Sequence, residues 1–268
     1  MPSHPSPRPT RAHVPTWTAW VWAGVALVGL AGCVHRAGAE LPEGAESLDD
    51  LPEGESWDAS LRMSEGDRLR LALDAPYLAR YAGDTSYVYL GPDASRPDSA
   101  SSPVSVRLYD DDGALTATVT SREARFEEEE ERLVATGRVR AEVSSGGGAS
   151  VTSARLVSTR DGAFTATGGA AADLRGDANA SVRAQRISGS AGGDRYEASG
   201  RVTVTTRTGR RLDAGRVVWD EGAGQFRAPG AFSFDGPGQR VRGVGLVASA
   251  DLSRYSFRNG TGTIEVQE

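Results

Sequence analysis

A glycine recurs every 30 to 32 residues through the second half of this chain, and this spacing limits the fold more than any other feature. Gly137, Gly168, Gly200 and Gly230 each lie between two short stretches in which apolar and polar residues alternate. Alternation with a period of two is typical of half-buried β-strands, and a glycine between them allows a bulge or turn with positive φ. A unit of about 30 residues cannot bury its own apolar face, so we expect all-β units that stack on one another.

Further strands are predicted upstream of these glycines. Leu69, Leu71 and Leu73 alternate with polar or small residues, and the same pattern returns from Val104 to Leu108. The acidic segment 110–113 is typical of a hairpin turn; a calcium loop is the alternative, but no distal glutamate completes it. For the acidic run 127–131, a solvated loop tip is favoured over a site for a cation or a basic partner.

Period-two alternation also predicts which side chains face inwards. The opposite positions hold mostly Arg, Thr, Ser and Glu, so the pattern indicates a folded-over sheet that is polar outside and apolar inside. Many inward residues are small, which favours a groove, although the same residues would also fill a core. The candidate groove residues are Val139, Ala141, Val202, Val204, Val217, Trp219, Phe232 and Phe234.

The N-terminal residues predict secretion and lipid attachment. Residues 14–30 are apolar and lead into Leu30-Ala31-Gly32-Cys33, which matches the bacterial lipobox and contains the only cysteine. We therefore expect a signal peptide at 1–32 and a lipid on Cys33; an uncleaved membrane anchor is the alternative. Residues 33–58 are acidic and predict a disordered tether, and residues 59–268 form the predicted repeat domain.

Rare residues exclude several classes of function. The three histidines are His4, His13 and His35, so the region after the tether has neither His nor Cys. That composition excludes Ser-His-Asp and Cys-His catalysis there and removes the usual ligands of zinc, copper and haem. We expect no enzyme activity, cofactor or metal, and a net charge of −6 argues against nucleic acid. A carbohydrate-active enzyme using Asp213 and Asp220 remains an alternative.

Seven segments follow one another in a characteristic order along the chain. They are Leu108-Tyr109-Asp110-Asp111-Asp112-Gly113, Ala124-Arg125-Phe126, Ala135-Thr136-Gly137-Arg138-Val139, Leu212-Asp213-Ala214, Val217-Val218-Trp219-Asp220, Val241-Arg242-Gly243-Val244-Gly245-Leu246 and Asp251-Leu252-Ser253-Arg254-Tyr255. In this order they resemble the LptC family, the periplasmic component of lipopolysaccharide export, and its OstA-like relatives. The resemblance covers about residues 61–266, and two features depart from the family. A lipobox stands where the family usually has a transmembrane helix, and the stretch at about 145–204 is extra.

This resemblance implies an open, twisted β-jellyroll that takes lipopolysaccharide from an inner-membrane ABC transporter and passes it to an OstA-like bridge protein. It also favours a periplasmic domain anchored to the inner membrane. The transporter is expected near Leu69–Leu73. The C-terminal strands lack Pro and Lys, so they are expected to dock the bridge protein edge to edge. That candidate edge comprises Tyr255, Phe257, Ile264 and Val266. A structural or adhesion β-solenoid without lipid cargo is the alternative from another class.

Overall fold

A computed structural model describes residues 51–82, 86–96, 102–110, 112–143, 148–159, 163–176, 178–190 and 194–264. Within these ranges 76% of the residues are in strands and none is helical, which confirms the all-β prediction. No described segment therefore offers a helix able to span a bilayer. The sixteen strands are β1 (Gly54–Glu65), β2 (Arg68–Tyr81), β3 (Tyr87–Gly91), β4 (Val104–Tyr109), β5 (Leu115–Ser121), β6 (Glu123–Glu127), β7 (Arg132–Val143), β8 (Ala149–Thr159), β9 (Ala163–Leu174), β10 (Ala180–Ser190), β11 (Arg195–Thr206), β12 (Arg211–Asp220), β13 (Gln225–Gly236), β14 (Gln239–Ser249), β15 (Tyr255–Ser256) and β16 (Asn259–Ile264).

All sixteen strands join one antiparallel sheet. From β8 to β13, each strand pairs along its length with the strand before it and the strand after it. At both ends of the sheet, two short strands share the place of one long strand. β5 and β6 pair with the two halves of β7, β4 and β3 with the two halves of β2, and β16 and β15 with the two halves of β14.

Each long strand from β7 to β13 is interrupted near its middle by a shift in pairing register. We call these interruptions the corners. Apolar residues on both sides of a corner, such as Ala135 and Val139 of β7, belong to one buried cluster. The sheet therefore folds over along the line of corners into two half-sheets whose apolar faces meet. The corners lie at 137–138, 153–154, 168–169, 184–185, 200–201, 215–217 and 229–230.

The corner at Gly168 requires glycine for two reasons. Its φ is +82°, a left-handed conformation that other residues adopt at a cost. A Cβ at this position would also lie 2.7 Å from the Cβ of Ala154, at the corner of the neighbouring strand. Gly169 has the same φ but open space around it. The two corners therefore fit together only because Gly168 has no side chain.

Buried apolar residues form two clusters. The C-terminal core runs through β7–β14 and reaches Leu252; its largest fully buried side chains include Phe226 and Phe234. The N-terminal core lies between β2 and β7 and includes Leu90 and Phe126. Val119 packs against both clusters, so the two cores are contiguous.

The start of the fold corrects one boundary. Residues 54–58, assigned above to the disordered tether, lie in β1 and pair with β2. The acidic composition of this segment predicted disorder, but two side-chain hydrogen bonds anchor it to the sheet. Glu55 accepts a hydrogen bond of 2.5 Å from the hydroxyl of Tyr77, and the indole of Trp57 donates one of 2.7 Å to Asp93. The folded domain thus begins by Gly54, and not at residue 59.

Both acidic segments near the hairpins form turns. Asp110 begins the turn between β4 and β5, and its carboxylate accepts hydrogen bonds from the backbone amides of Asp112 and Ala114. The turn prediction for this segment is confirmed. In the second segment, residues 128–131 form the turn between β6 and β7. Glu128 contacts Arg80 at 3.2 Å there, and Arg132 pairs with acidic residues of the same run.

Candidate binding site between the half-sheets

All eight candidate groove residues lie in the C-terminal core. Seven of them are between 0% and 9% exposed, and Trp219 is partly buried and packs against the same cluster. Val139 and Val202 follow their corners directly, and Phe232 lies two residues after its corner. The ring of Trp219 lies 4.5 Å from that of Phe226. The predicted inward face is therefore the buried face, and residues from different strands meet there.

Side chains fill this interior closely. The crevice between the half-sheets has a volume of about 30 Å³ and is lined by residues that include Ile187, Trp219 and Phe226. That is about the volume of one water molecule in the liquid, so an acyl chain does not fit without movement. In this conformation the eight residues mainly fill a core. Val202 and Phe232 also line an open depression of about 570 Å³ beside the corners of β11–β13, together with Asp213.

The filling differs along the stack of strands. On β9 and β10 the buried inward residues are mostly alanine, such as Ala166, Ala170 and Ala184, whereas β13 contributes Phe226, Phe232 and Phe234. A buried CH₂ group contributes about 0.8 kcal/mol. The alanine-rich part therefore holds the half-sheets together more weakly than the phenylalanine-rich part.

The two half-sheets meet through side chains. Every strand pairing in the described ranges joins neighbouring strands side by side. Separating the half-sheets along the edge opposite the corners would therefore expose apolar surface without breaking the strand ladders. Such a movement would turn the filled core into a cleft lined by the same residues.

The residues of the candidate docking edge differ in how firmly they are packed into the fold. The ring of Tyr255 lies 4.8 Å from that of Phe234, and its hydroxyl donates to Gln239 at 2.8 Å, so this residue is tied into the fold. Phe257 is 37% exposed and contacts Phe232 at a ring distance of 5.8 Å. Ile264 ends β16 opposite Gln239, and Val266 lies outside the described residues.

Both ends of the sheet present an edge strand. β16 pairs with β14 and β1 pairs with β2, and within the described ranges neither has a second neighbour. An edge strand offers backbone N–H and C=O groups to a strand of another molecule. The structure therefore contains two places for strand addition, one at each end of the stack.

An aromatic cluster on the outer face of β1–β3 escaped the sequence analysis. It comprises Trp57, Tyr77, Tyr81, Tyr87 and Tyr89. The pKa of Tyr89 is raised to about 12 and that of Tyr77 is also raised, chiefly because burial disfavours the charged form. The alternation of aromatic residues at 77, 81, 87 and 89 was the available signal, but period two alone does not tell an outer from an inner face.

Asp93 holds the segment after β3 against this aromatic cluster. Its carboxylate accepts hydrogen bonds from Trp57 at 2.7 Å and from the hydroxyl of Ser95 at 2.7 Å, which lower its pKa. The guanidinium of Arg96 lies 4.9 Å from the centre of the Trp57 ring. These contacts cover the outer face and leave Trp57 41% exposed.

The two candidate catalytic carboxylates lie on opposite sides of a corner of β12. Asp213 accepts hydrogen bonds from Arg211 at 2.8 Å and from Thr203 at 2.6 Å, and the bond from Arg211 lowers its pKa. Asp220 accepts one from the backbone amide of Ala223. A general acid requires a raised pKa, so Asp213 is poorly suited to that role. Within the described ranges no three His, Cys, Asp or Glu residues cluster as metal ligands.

No protein-family model matches this chain, and no curated protein shows significant sequence similarity to it. The predicted signal peptide and Cys33 lie outside the described residues.

Proposed function

We propose that this protein is a lipid-anchored periplasmic component of lipopolysaccharide export. In this role it shields acyl chains between its half-sheets and passes the lipid from an inner-membrane ABC transporter to an OstA-like bridge protein. The observation that carries the proposal is the C-terminal core, an apolar interior that continues through β7–β14 between two half-sheets joined by side chains. No covalent chemistry is required for this function.

The finer fold belongs to the same proposal. We describe the domain as an open, twisted β-jellyroll built from units of about 30 residues. Left-handed glycines at the corners of β7, β9 and β11, namely Gly137, Gly168 and Gly200, support this description because their spacing is 31 and 32 residues. On this view the extra stretch at about 145–204 lengthens the stack by two units.

Lipid entry requires the half-sheets to separate. Transfer of acyl chains out of water is worth about 0.8 kcal/mol per CH₂ group, so the chains of one lipid offset much of the lost side-chain packing. The alanine-rich part at β9 and β10 is the expected entry point, since Ala166, Ala170 and Ala184 give little packing to lose. The phenylalanine-rich part at β13 would then remain closed for longest.

The edges supply the proposed partner contacts. β16 and Ile264 would add to a strand of the bridge protein, and the strands near Leu69–Leu73 would face the transporter. Lipidation of Cys33 would hold the domain at the inner membrane. Intact-mass measurement of the purified wild-type protein should reveal the lipid adduct, and Cys33→Ala should remove it.

A photo-crosslinking pair tests the interior directly. A photoreactive phenylalanine replaces Trp219, which is inward and aromatic, and in a second variant it replaces the outward Arg227 on the adjacent strand. After incubation with lipopolysaccharide, the proposal predicts capture at position 219 and little capture at 227. Equal capture at both positions, or none at 219 in a folded variant, would reject the lipid-binding interior. Further inward sites are Val139, Val202 and Phe232, with Arg140 and Thr203 as outward controls.

The docking edge has its own test. Ile264→Pro removes one backbone donor at the end of an edge strand and should leave the melting temperature nearly unchanged. It should abolish capture of the bridge protein in a pull-down. Unchanged capture by the folded variant would show that this edge is not the docking site.

One observation favours a second candidate, a structural or adhesion β-solenoid lipoprotein. The interior is as closely filled as an ordinary core, with Leu212, Phe226 and Phe234 fully buried. A protein of this kind would keep its half-sheets closed in the presence of lipopolysaccharide. Hydrogen exchange in β9 and β10, measured with and without the lipid, separates the two, because only the transport proposal predicts a change there.

A further inference from the structure

A row of arginines follows the line of corners on the outer surface. It occupies six of seven successive positions in the stack, from the junction of β5 and β6 to β12, and β9 alone has none. Neighbouring strands are about 4.8 Å apart, so the row extends over roughly 29 Å. We call it the arginine ridge. Its members are all exposed and comprise Arg122, Arg138, Arg155, Arg186, Arg201 and Arg216.

Two ridge arginines adopt a backbone conformation that disfavours them. Arg138 and Arg201 have φ angles of +54° and +52°, and the corresponding corner position in β9 is Gly169 at +82°. Glycine adopts this conformation without steric cost, whereas arginine does not. Strained residues persist mainly where the side chain has a function. The strain at these positions therefore indicates that the side chains of Arg138 and Arg201 have a role beyond shaping the corner.

Most of the ridge charge is uncompensated. Arg122 lies 3.5 Å from Glu123 and Arg216 lies 2.5 Å from Glu197. The other four ridge arginines form no ion pair with any described residue. Arginines elsewhere on the flat faces of the strands commonly have acidic partners, as in the pairs Arg140–Glu142, Arg211–Asp213 and Arg240–Asp235. A chain with a net charge of −6 thus concentrates free positive charge along one line.

Acidic residues collect at one set of strand ends. Three successive hairpin connections there carry exposed acids, Asp194, Glu221 and Asp251. A strand half of five or six residues separates them from the corners by about 17–20 Å. The connections at the other strand ends carry Arg175, Arg207 and Arg210, so the polarity runs from the positive ridge to this one set of negative turns.

From this polarity we infer that the arginine ridge docks on the anionic phospholipid headgroups of the membrane that holds the N-terminus. This inference rests on the membrane anchoring in the proposed function. Twenty residues separate Cys33 from Gly54, where β1 begins. In the disordered form that its acidic composition predicts, a segment of that length spans about 25 Å, which keeps the ridge within reach of the bilayer. Arginines near an anionic surface are attracted to it, and the acidic turns are repelled and point away.

Docking by the ridge would regulate transfer. The ridge runs along the stacking direction of the strands, so a docked domain lies flat and its β16 edge faces along the membrane. An edge-to-edge bridge across the periplasm requires this edge to point away from the membrane. The docked form is therefore a resting state that must lift off before β16 engages the bridge protein.

A depth-quenching experiment on the full-length chain tests the docking. Cys33→Ser removes the native thiol, and Ala154→Cys places a fluorescent label beside Arg155 on the ridge. In a second protein, Asp194→Cys places the label at the acidic turns. Each protein is reconstituted through residues 14–30 into vesicles of phosphatidylcholine, alone or with a third of the lipid replaced by phosphatidylglycerol. Both vesicle types contain headgroup-region nitroxide lipids. We expect quenching at position 154 only when phosphatidylglycerol is present, and none at 194.

Charge-matched variants then identify the residues responsible. Changing Arg138, Arg155, Arg186 and Arg201 together to Gln should lower the docking equilibrium several hundred-fold, about five-fold for each arginine. The control changes four arginines away from the ridge to Gln: Arg140, Arg195, Arg227 and Arg240. It should keep the quenching.

Specific outcomes would overturn the docking. They are quenching without phosphatidylglycerol, no quenching at 154 with it, or equal loss in both four-arginine variants. Wild-type protein with Cys33 intact that fails to float with either vesicle type would overturn the anchoring on which the inference rests. The test is separable from lipid transport. Docking without lipopolysaccharide capture at position 219 would reject the transport proposal and leave the ridge in place.

Discussion

Strands β7–β14 and strands β1–β6 build the same folded sheet by different means. In β7–β13 one strand passes through each corner without a break, and several corners use left-handed glycines such as Gly137 and Gly168. In the N-terminal region β1 and β2 are also continuous, but the strands between β2 and β7 are interrupted. Residues 92–103 separate β3 from β4, and Arg122 alone separates β5 from β6. A continuous strand therefore depends on corner residues that tolerate the bend.

The two regions also differ in what covers their outer faces. The outer face of β7–β14 is largely Arg, Thr, Ser and acidic residues and meets water. The outer face of β1–β3 carries the aromatic cluster around Tyr77 and is covered by the segment that Asp93 anchors. The C-terminal region is thus stabilised mainly from inside, and the N-terminal region from both faces.

The largest effect is expected from removing one phenylalanine from each core. Phe234 is 0% exposed and Phe126 is 5% exposed, and each packs in its own cluster. Replacement of either by Ala should lower the free energy of unfolding by about 3–5 kcal/mol, as measured by urea denaturation. Phe234 should give the larger loss because its ring also contacts Tyr255.

Hydrogen exchange in the same two variants tests whether the regions are separate units. If they unfold separately, Phe234→Ala should reduce protection in β12–β14 and leave β2–β4 unchanged, and Phe126→Ala should do the reverse. Val119 packs against both cores, so the two regions could instead unfold together as one unit. Uniform loss of protection in both variants would show that the sheet is a single cooperative unit.

The second prediction concerns a corner. Gly168→Ala should cost about 2–3 kcal/mol, because it combines a left-handed φ with a Cβ contact of 2.7 Å to Ala154. Gly169→Ala is the matched control, with the same φ and no neighbour within 4 Å, and should cost about 1–2 kcal/mol. Thermal unfolding of both variants measures the difference. Equal losses would mean that the corners do not fit closely against one another.

The sequence predicted the regular region better than the irregular one, for a physical reason. Alternation around Gly137 and Gly200 follows one rule for every strand, so the buried face from Val139 to Phe234 could be read directly. The N-terminal region has aromatic residues on both faces, and there period two does not identify the inner face. The strand at Gly54 was missed because its contacts come from Tyr77 and Asp93, which are distant in sequence.

The candidate site was predictable in part. The sequence identified which residues share the interior, but not that Phe226 and Phe234 fill it, since filling depends on how closely the half-sheets approach. The sequence also did not predict that the ridge arginines form one row. Arg138, Arg155 and Arg186 are 17 and 31 residues apart, and only the folded sheet places them in one row.

The third prediction uses alkaline pH. Burial raises the pKa of Tyr77, Tyr81 and Tyr89 in the N-terminal region, and that of Tyr89 reaches about 12. A raised pKa means that the folded state favours the neutral phenol. The contribution of each buried, neutral tyrosine to the free energy of unfolding is therefore fully present below about pH 10. It is lost as the pH rises through the pKa of that tyrosine in the folded state.

Hydrogen exchange or limited proteolysis at pH 8 and pH 11 checks this expectation. The N-terminal region should loosen first, because the C-terminal region has one such tyrosine, Tyr196. Tyr89→Phe removes one titrating group and should make the N-terminal region less sensitive to alkali. Earlier loosening of β7–β14 would contradict the assignment of the aromatic cluster as a stabilising surface.

The smallest effect is expected from ion pairs on the outer faces, where the two regions again differ. In the C-terminal region Arg240 and Asp235 form a solvent-exposed pair at 2.8 Å, with side chains 64% and 50% exposed. In the N-terminal region Asp74 accepts hydrogen bonds from Ser60, Arg62 and Arg107, and the bond from Ser60 is the main reason for its lowered pKa.

A double-mutant cycle on Arg240→Gln and Asp235→Asn should give a coupling energy below about 1 kcal/mol, because water screens exposed charges. The cycle on Arg107→Gln and Asp74→Asn should give a larger value, since Asp74 is already held by Ser60 and Arg62 and loses less side-chain freedom when Arg107 binds. Raising the salt concentration should weaken the first coupling more than the second. If the two couplings are equal and respond equally to salt, the outer faces of the two regions are electrostatically alike. Their difference would then lie only in the aromatic cluster and the corners.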